Sequence, residues 1–273
     1  MPPCSGNIPK AAGETALQKN VWPHRLIMAL VLPAAAATLF DAPGTTGVFD
    51  TLLLLLATAG SISALVRQLP LQSVLFAAFI TALIGTAAHG LSERTGIPLG
   101  PLSFGETVGP QLFNTVPWSV GLIWIIAIFN SRGVARLVLR PWRKVRTYGF
   151  LLMGLTAGLA LVFDLALEPY AHVKRFWFWH PTKIPFTWHG ASPMSFIGWT
   201  FVALIILAVI MPFLIRKQPG KSSRPDFNPL VIWIGALALF GVAAAQAGYW
   251  TAAGVDAAAA VVVTIFSWRG AKW

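Results

Sequence analysis

Apolar residues along this chain come in blocks of about 20, the length a helix needs to cross roughly 30 Å of hydrocarbon, separated by short polar or Gly/Pro-rich stretches. The blocks predict spans at 22–40, 49–66, 70–90, 117–138, 148–169, 194–215, 229–247 and 250–268. The expected fold class is therefore all-α, a polytopic transmembrane helical bundle of about eight spans. Residues 1–20 are polar and Gly/Pro-punctuated, which predicts a disordered cytoplasmic N-terminus ahead of one transmembrane domain over 21–273. The first block ends in an alanine run reminiscent of a signal-peptide cleavage site, but its long polar lead and Pro33 favour an uncleaved span. Spans seven and eight, Ala-rich and almost uncharged, are expected at the periphery.

One connection breaks the pattern. Residues 93–118, ERTGIPLGPLSFGETVGPQLFNTVPW, are too apolar for an exposed loop and too rich in Gly and Pro for a helix. Irregular backbone at membrane depth is tolerated where protein buries it or where it lines a cavity, so this segment is expected to be a re-entrant or cavity-capping loop.

Composition agrees with the pattern: of 273 residues 56% are hydrophobic and 11% charged. Such a chain cannot hide its apolar surface in one water-soluble core. The net charge of +11 would suggest nucleic acid in a soluble protein, yet the basic residues sit between the apolar blocks and serve as topology signals. With the N-terminus inside, only Arg94, Lys174, Arg175 and Lys183 of the 20 basic residues fall outside. That asymmetry predicts a cytoplasmic (inner) membrane protein with both termini cytoplasmic. The single cysteine, Cys4, excludes an intrachain disulfide.

On this topology His89, Glu93, Glu106, Asp164, Glu168, His172, His180, His189 and Asp256 crowd into or near the outer half. Ionisable groups at membrane depth are costly and usually functional. Asp164 and Glu168, spaced i,i+4, share one helix face, and two adjacent carboxyls in an apolar setting predict that one holds a proton and acts as a general acid. The alternatives are capping by Lys174 or Arg175, or solvation where Pro169 ends the helix. His89 and Glu93 repeat the spacing and could share a proton or a metal. Glu106 has Gln111 and Asn114 as candidate hydrogen-bonding neighbours. Phe176, Trp177, Trp179, Trp188 and Trp199 suit an interfacial belt or, turned inward, a wall that stabilises a cation. The five histidines show no H-x-x-x-H or H-x-x-H pair, and no metal site is expected.

The stretches GIPLGPLSFGETVGPQLFNTVPW (96–118), DLALEP (164–169) and SFIGW (195–199) resemble the membrane carotenoid-biosynthesis proteins that include the carotenoid 1,2-hydratases and the archaeal bisanhydrobacterioruberin hydratase. This chain has Leu99 and Leu102 at aromatic positions of the first motif, Glu168 for the second acid of DLxLDP, and Ser195 for an Asn. The resemblance implies a cofactor-independent hydro-lyase adding water to the terminal C1=C2 double bond of an acyclic carotenoid end, through a tertiary carbocation. Asp164 would then donate the proton, and Glu106 or Glu168 would tune it or activate water, with Glu93 and His89 nearby. Trp118, Asn114 and the aromatic wall would bind substrate. The implied partners are a carotenoid and membrane lipid, with association with other pathway enzymes or a larger assembly left open. A non-catalytic carotenoid- or lipid-binding subunit and an oxygen-dependent carotenoid hydroxylase remain the alternatives.

Overall fold

Among the described residues, eight helices of 18 to 27 residues carry almost all of the regular structure. The computed structural model describes residues 22–40, 47–105, 109–181, 186–214 and 225–273. The N-terminal segment 1–20 and Glu106 lie outside the described residues. The helices are α1 (Trp22–Leu39), α2 (Val48–Val66), α3 (Leu71–Thr95), α4 (Ser119–Val138), α5 (Tyr148–Lys174), α6 (Pro193–Ile210, extended by a 3₁₀ turn to Leu214), α7 (Asn228–Gln246) and α8 (Trp250–Ala271). All eight are long and apolar enough to cross a membrane.

Two helices outrun their predicted ends. Gly90 does not interrupt α3, which runs to Thr95, and Pro169 does not end α5, which continues to Lys174. Proline lacks the N–H that would reach back four residues, so the Leu165 carbonyl loses its helical donor. Trp188 supplies a substitute, its indole N–H reaching that carbonyl at 2.9 Å. At 27 residues α5 is about 40 Å long, more than a perpendicular crossing of the hydrocarbon layer requires.

Cross-chain contacts define the two ends of the bundle. At one, here the loop end, Lys174 Nζ on α5 donates to the Thr38 carbonyl of α1 at 2.6 Å. At the other, the basic end, Arg136 of α4 donates to Gln68 at 3.3 Å, and Gln68 donates to Asp226 at 2.5 Å. Arg132, buried nearby, gives an Nη2 hydrogen bond of 2.6 Å to the Leu214 carbonyl, where a helical segment ends and its carbonyls lack intrahelical donors.

α4 is the central helix, with Trp124, Ile128 and Phe129 fully buried, whereas α1 and α8 are the most exposed to the surroundings. The expectation for the seventh span is not met. α7 buries Trp233 and Leu237 completely, and the Trp233 indole donates to Ser131 of α4 at 3.2 Å. Small residues allow such proximity, as membrane helix packing requires. A Cβ at Gly85 would overlap the Trp124 ring, and one at Gly198 would overlap the Pro98 carbonyl.

The described parts of segment 93–118 lie at the loop end, with Leu99, Leu102 and Val116 buried in the core. They contain β1 (Leu102–Phe104) and a small hairpin of β2 (Gln111–Leu112) and β3 (Val116–Pro117). β1 pairs with β4 (Trp177–Trp179), which follows α5.

Candidate active site

The β1–β4 pairing is what assembles the site. Leu102 lies opposite Trp179, Ser103 opposite Phe178 and Phe104 opposite Trp177. Flanking backbone bonds extend the clasp: Gly105 N donates to the Phe176 carbonyl and His180 N to the Pro101 carbonyl, both at 2.9 Å. Alternation along a strand sends residues 177 and 179 to the same face. That face meets α5, where both indoles donate to Oε2 of Glu168, Trp177 at 3.2 Å and Trp179 at 2.9 Å. Phe178, on the opposite face, is exposed.

One turn earlier on α5 lies Asp164, with 0% of its surface exposed, against 1% for Glu168. Neither oxygen of Asp164, nor Oε1 of Glu168, has a hydrogen-bond partner among the described residues. Lys174 does not cap the pair, since its ammonium is paired with Asp50 at 3.5 Å. Solvation beyond Pro169 is excluded as well, because the helix continues and both acids are buried. Buried polar atoms are nearly always satisfied in native proteins, and exceptions concentrate where chemistry is done.

His89 adjoins this pair through Trp177, whose ring centroid lies 6.3 Å from the imidazole. Trp124, Trp199 and Phe104 complete the surround, each at 6.0 Å. Trp124 and Trp199 are stacked at 3.8 Å with an interplanar angle of 15°. The Trp124 indole reaches Nδ1 of His89 at 3.2 Å, and because an indole can only donate, Nδ1 is the acceptor. The same nitrogen lies 3.1 Å from the Gly85 carbonyl, one turn back on α3. With Nδ1 accepting from the indole, that carbonyl contact is not a hydrogen bond, so His89 is held by Trp124, and no hydrogen bond joins it to Glu93 among the described residues. Among the described residues no three His, Cys, Asp or Glu side chains gather as a metal site would require.

The other predicted residues are dispersed. Glu93 is partly buried, and its Oε2 is buried without a partner among the described residues. Asn114 sits exposed at the tip of the β2–β3 hairpin with φ of 53°, and Gln111 is exposed beside it. Trp118 lines an open, mostly apolar groove of about 830 Å³ between α3 and α4, together with Gly90, Arg94 and Thr115. Phe176 is buried on the other side of α5, in an apolar cavity of about 210 Å³. Neither cavity is lined by Asp164 or Glu168. Asp256 lies apart, on α8 against Gly241 of α7. His172 and His189 meet Tyr249 at ring distances of 6.1 and 4.5 Å.

One polar cluster has no counterpart in the sequence reading. The Tyr170 hydroxyl donates to Oδ1 of Asp50 at 2.5 Å, and Lys174 pairs with Oδ2 of the same carboxylate. The signal was a charged residue at the head of an apolar block, VFDTLLLLL; its partners lie on a helix more than a hundred residues later.

The family model described as "Carotenoid biosynthesis protein" matches residues 49–264. The chain belongs to the carotenoid biosynthesis protein family. That match takes in the acid pair, both β1–β4 strands, His89 and Trp199, so the whole candidate site lies within the part of the chain that defines the carotenoid biosynthesis protein. No curated protein and no solved structure is significantly similar to the chain.

Proposed function

We propose that this carotenoid-pathway membrane protein is a carotenoid 1,2-hydratase, with Asp164 as its proton donor. The observation that carries the reading is the burial of Asp164 and Glu168 on one face of α5, with three of their four oxygens unpartnered among the described residues and the fourth held by two indoles.

Hydration of a trisubstituted alkene needs an acid, a setting that tolerates a tertiary cation, and a base for the entering water. In this reading Asp164 transfers its proton to C2 of the terminal double bond, whose π electrons form the new C–H bond and leave the cation at C1. The faces of Trp177 and Trp179 stabilise that charge by cation–π attraction. Water then forms the C1–O bond and gives a proton to Oε1 of Glu168, the oxygen the indoles do not hold. Passing that proton along the i,i+4 pair restores Asp164. The sum is alkene plus water to tertiary alcohol, with no electron transfer. The protein would sit in the cytoplasmic membrane with both termini in the cytoplasm, its basic end facing inward, and the polyene would lie along the helices.

A second reading, a carotenoid- or lipid-binding subunit without turnover, draws on one observation: neither described cavity is lined by the acid pair. Expression in a host that makes acyclic carotenoids, in heavy-oxygen water, separates the readings. The hydratase yields a tertiary alcohol carrying the water label, and Asp164→Asn abolishes it while the protein stays in the membrane. Oxygen from dioxygen would mean a hydroxylase, and bound pigment without product would mean the subunit. Undiminished product from Asp164→Asn would overturn the acid assignment.

A further inference from the structure

The open groove of about 830 Å³ runs along α3 from Phe79 up to Arg94, with the start of α4 and the β2–β3 hairpin on its other side. Fifteen residues separate Phe79 from Arg94, about 22 Å of helix axis. Gly121 lets the two helices meet at the floor, where a Cβ would lie 3.1 Å from that of Ala82. The walls face away from the bundle: Phe79, Leu83 and Leu91 are more than half exposed, and Phe113 on the hairpin is 94% exposed. In a membrane such surface is covered by hydrocarbon.

One end of the groove is charged. Arg94, in the last turn of α3, donates through Nη2 to the Thr115 hydroxyl at 3.1 Å, and Thr115 Oγ1 donates in turn to the Phe113 carbonyl at 3.0 Å. The guanidinium is thus tied to the hairpin that flanks the groove. That bond uses one of its five N–H donors, and no ion pair joins Arg94 to a carboxylate among the described residues. Glu93, its neighbour in the chain, does not line the groove. A guanidinium with donors to spare suits a phosphate, which it can bind through two parallel N–H bonds. Trp118, at the start of α4, lines the same end, where an indole favours the membrane interface. Length then selects the occupant. One leaflet with its headgroups is about 20–22 Å thick, the length of the groove, whereas an uncharged polyene that crosses the hydrocarbon layer is roughly 30 Å long and would overrun it while leaving Arg94 unused. We propose that the groove is a binding site for one anionic phospholipid of the leaflet at the loop end, its phosphate on Arg94 and an acyl chain laid along α3 to Phe79. The inference rests on the groove and the membrane-spanning fold, not on the hydration reaction at Asp164.

The test uses the full-length protein in micelles of an uncharged maltoside, photolabelled with phosphatidylglycerol that carries a diazirine near the end of one acyl chain. Labelled peptides should map to residues 79–83 of α3 and to the first turns of α4. Unmodified phosphatidylglycerol should compete at least about tenfold better than the diacylglycerol of the same chains, the ratio a hydrogen bond to a charged group supplies, and free glycerol phosphate should not compete. Arg94→Gln should cut labelling at least about fivefold and erase the preference for the phospholipid. Arg269→Gln, which removes an exposed charge in the last turn of α8 at the basic end, should change neither. Ala87 is exposed about halfway along the groove, so Ala87→Trp fills it without touching Arg94 and should cut labelling at least about tenfold. Equal competition by phospholipid and diacylglycerol would make the groove an ordinary apolar contact with lipid and overturn the proposal. So would labelling spread evenly over the exposed helices, displacement by free glycerol phosphate, or stronger competition from an acyclic carotenoid than from phosphatidylglycerol.

Discussion

Trp188 donates its indole N–H to the carbonyl of Leu165 at 2.9 Å, and by doing so lets α5 pass through Pro169 without an unsatisfied carbonyl in its interior. The helix that carries both acids thus depends on a side chain from the loop beyond it. Trp188→Phe should destabilise the protein by about 1–3 kcal/mol, the cost of a buried polar group left unpaired. In a Pro169→Ala background, where the backbone N–H returns, the same substitution should cost about 1 kcal/mol less. Reversible unfolding in mixed micelles measures the cycle, and additive effects would refute the compensation.

Glu168 should respond to its two indoles separately. Trp179→Phe removes the shorter hydrogen bond and Trp177→Phe the longer one, which also borders His89. If Glu168 accepts the proton of the entering water, each substitution should lower product yield by about tenfold or more without loss of folded protein, and the pair together by about 10²-fold or more. Quantifying product against membrane-inserted protein checks this; unchanged yield in the double variant would remove Glu168 from the reaction.

Breaking the buried Asp50–Lys174 pair on one side should be worse than removing both charges. Lys174→Met leaves a carboxylate buried and should cost about 3–5 kcal/mol, whereas Asp50→Asn with Lys174→Met should cost less. Chemical denaturation of the three variants decides it.

Close approach of the 93–118 segment to α6 makes Gly198 a sensitive position. Gly198→Ala places a methyl on the Pro98 carbonyl and should cost about 1–3 kcal/mol while displacing β1 from β4. Increased amide exchange at Gly105 and His180, whose N–H groups close the clasp, would report the displacement.

His189, in the loop after β4, has its basicity lowered by partial burial and by nearby His172. The unfolded chain therefore binds a proton more readily than the folded one, and stability is lost as pH falls through about 6.5 and below. His189→Gln should flatten that acid-side loss in a plot of melting temperature against pH.

Much of this was legible in the sequence because it is local. Apolar blocks of span length located all eight helices, and the i,i+4 spacing of Asp164 and Glu168 placed both on one face of one helix. Helix ends were misplaced where a breaker is compensated from elsewhere: Pro169 looks terminal only if Trp188 is not known to reach Leu165. The three-residue strands β1 and β4 carry no usable periodicity, and the Asp50–Lys174 pair joins α2 to α5 across more than a hundred residues. Nothing in the local pattern distinguishes Asn114, exposed in a turn, from a residue aimed at Glu106, which lies outside the described residues.

The donors that hold Glu168 come from Trp177 and Trp179, which follow α5 in the chain. During synthesis α5 must therefore enter the bilayer before the side chains that satisfy its acid have left the ribosome. A central Asp in a nascent span costs about 2.5–3.5 kcal/mol at the translocon. The most apolar 18-residue stretch of this helix, with a mean hydropathy of 2.1, offsets that cost. Its leucines and phenylalanines thus serve biogenesis as well as packing, and polar surface substitutions on α5 should reduce the yield of inserted protein even where they spare the finished fold.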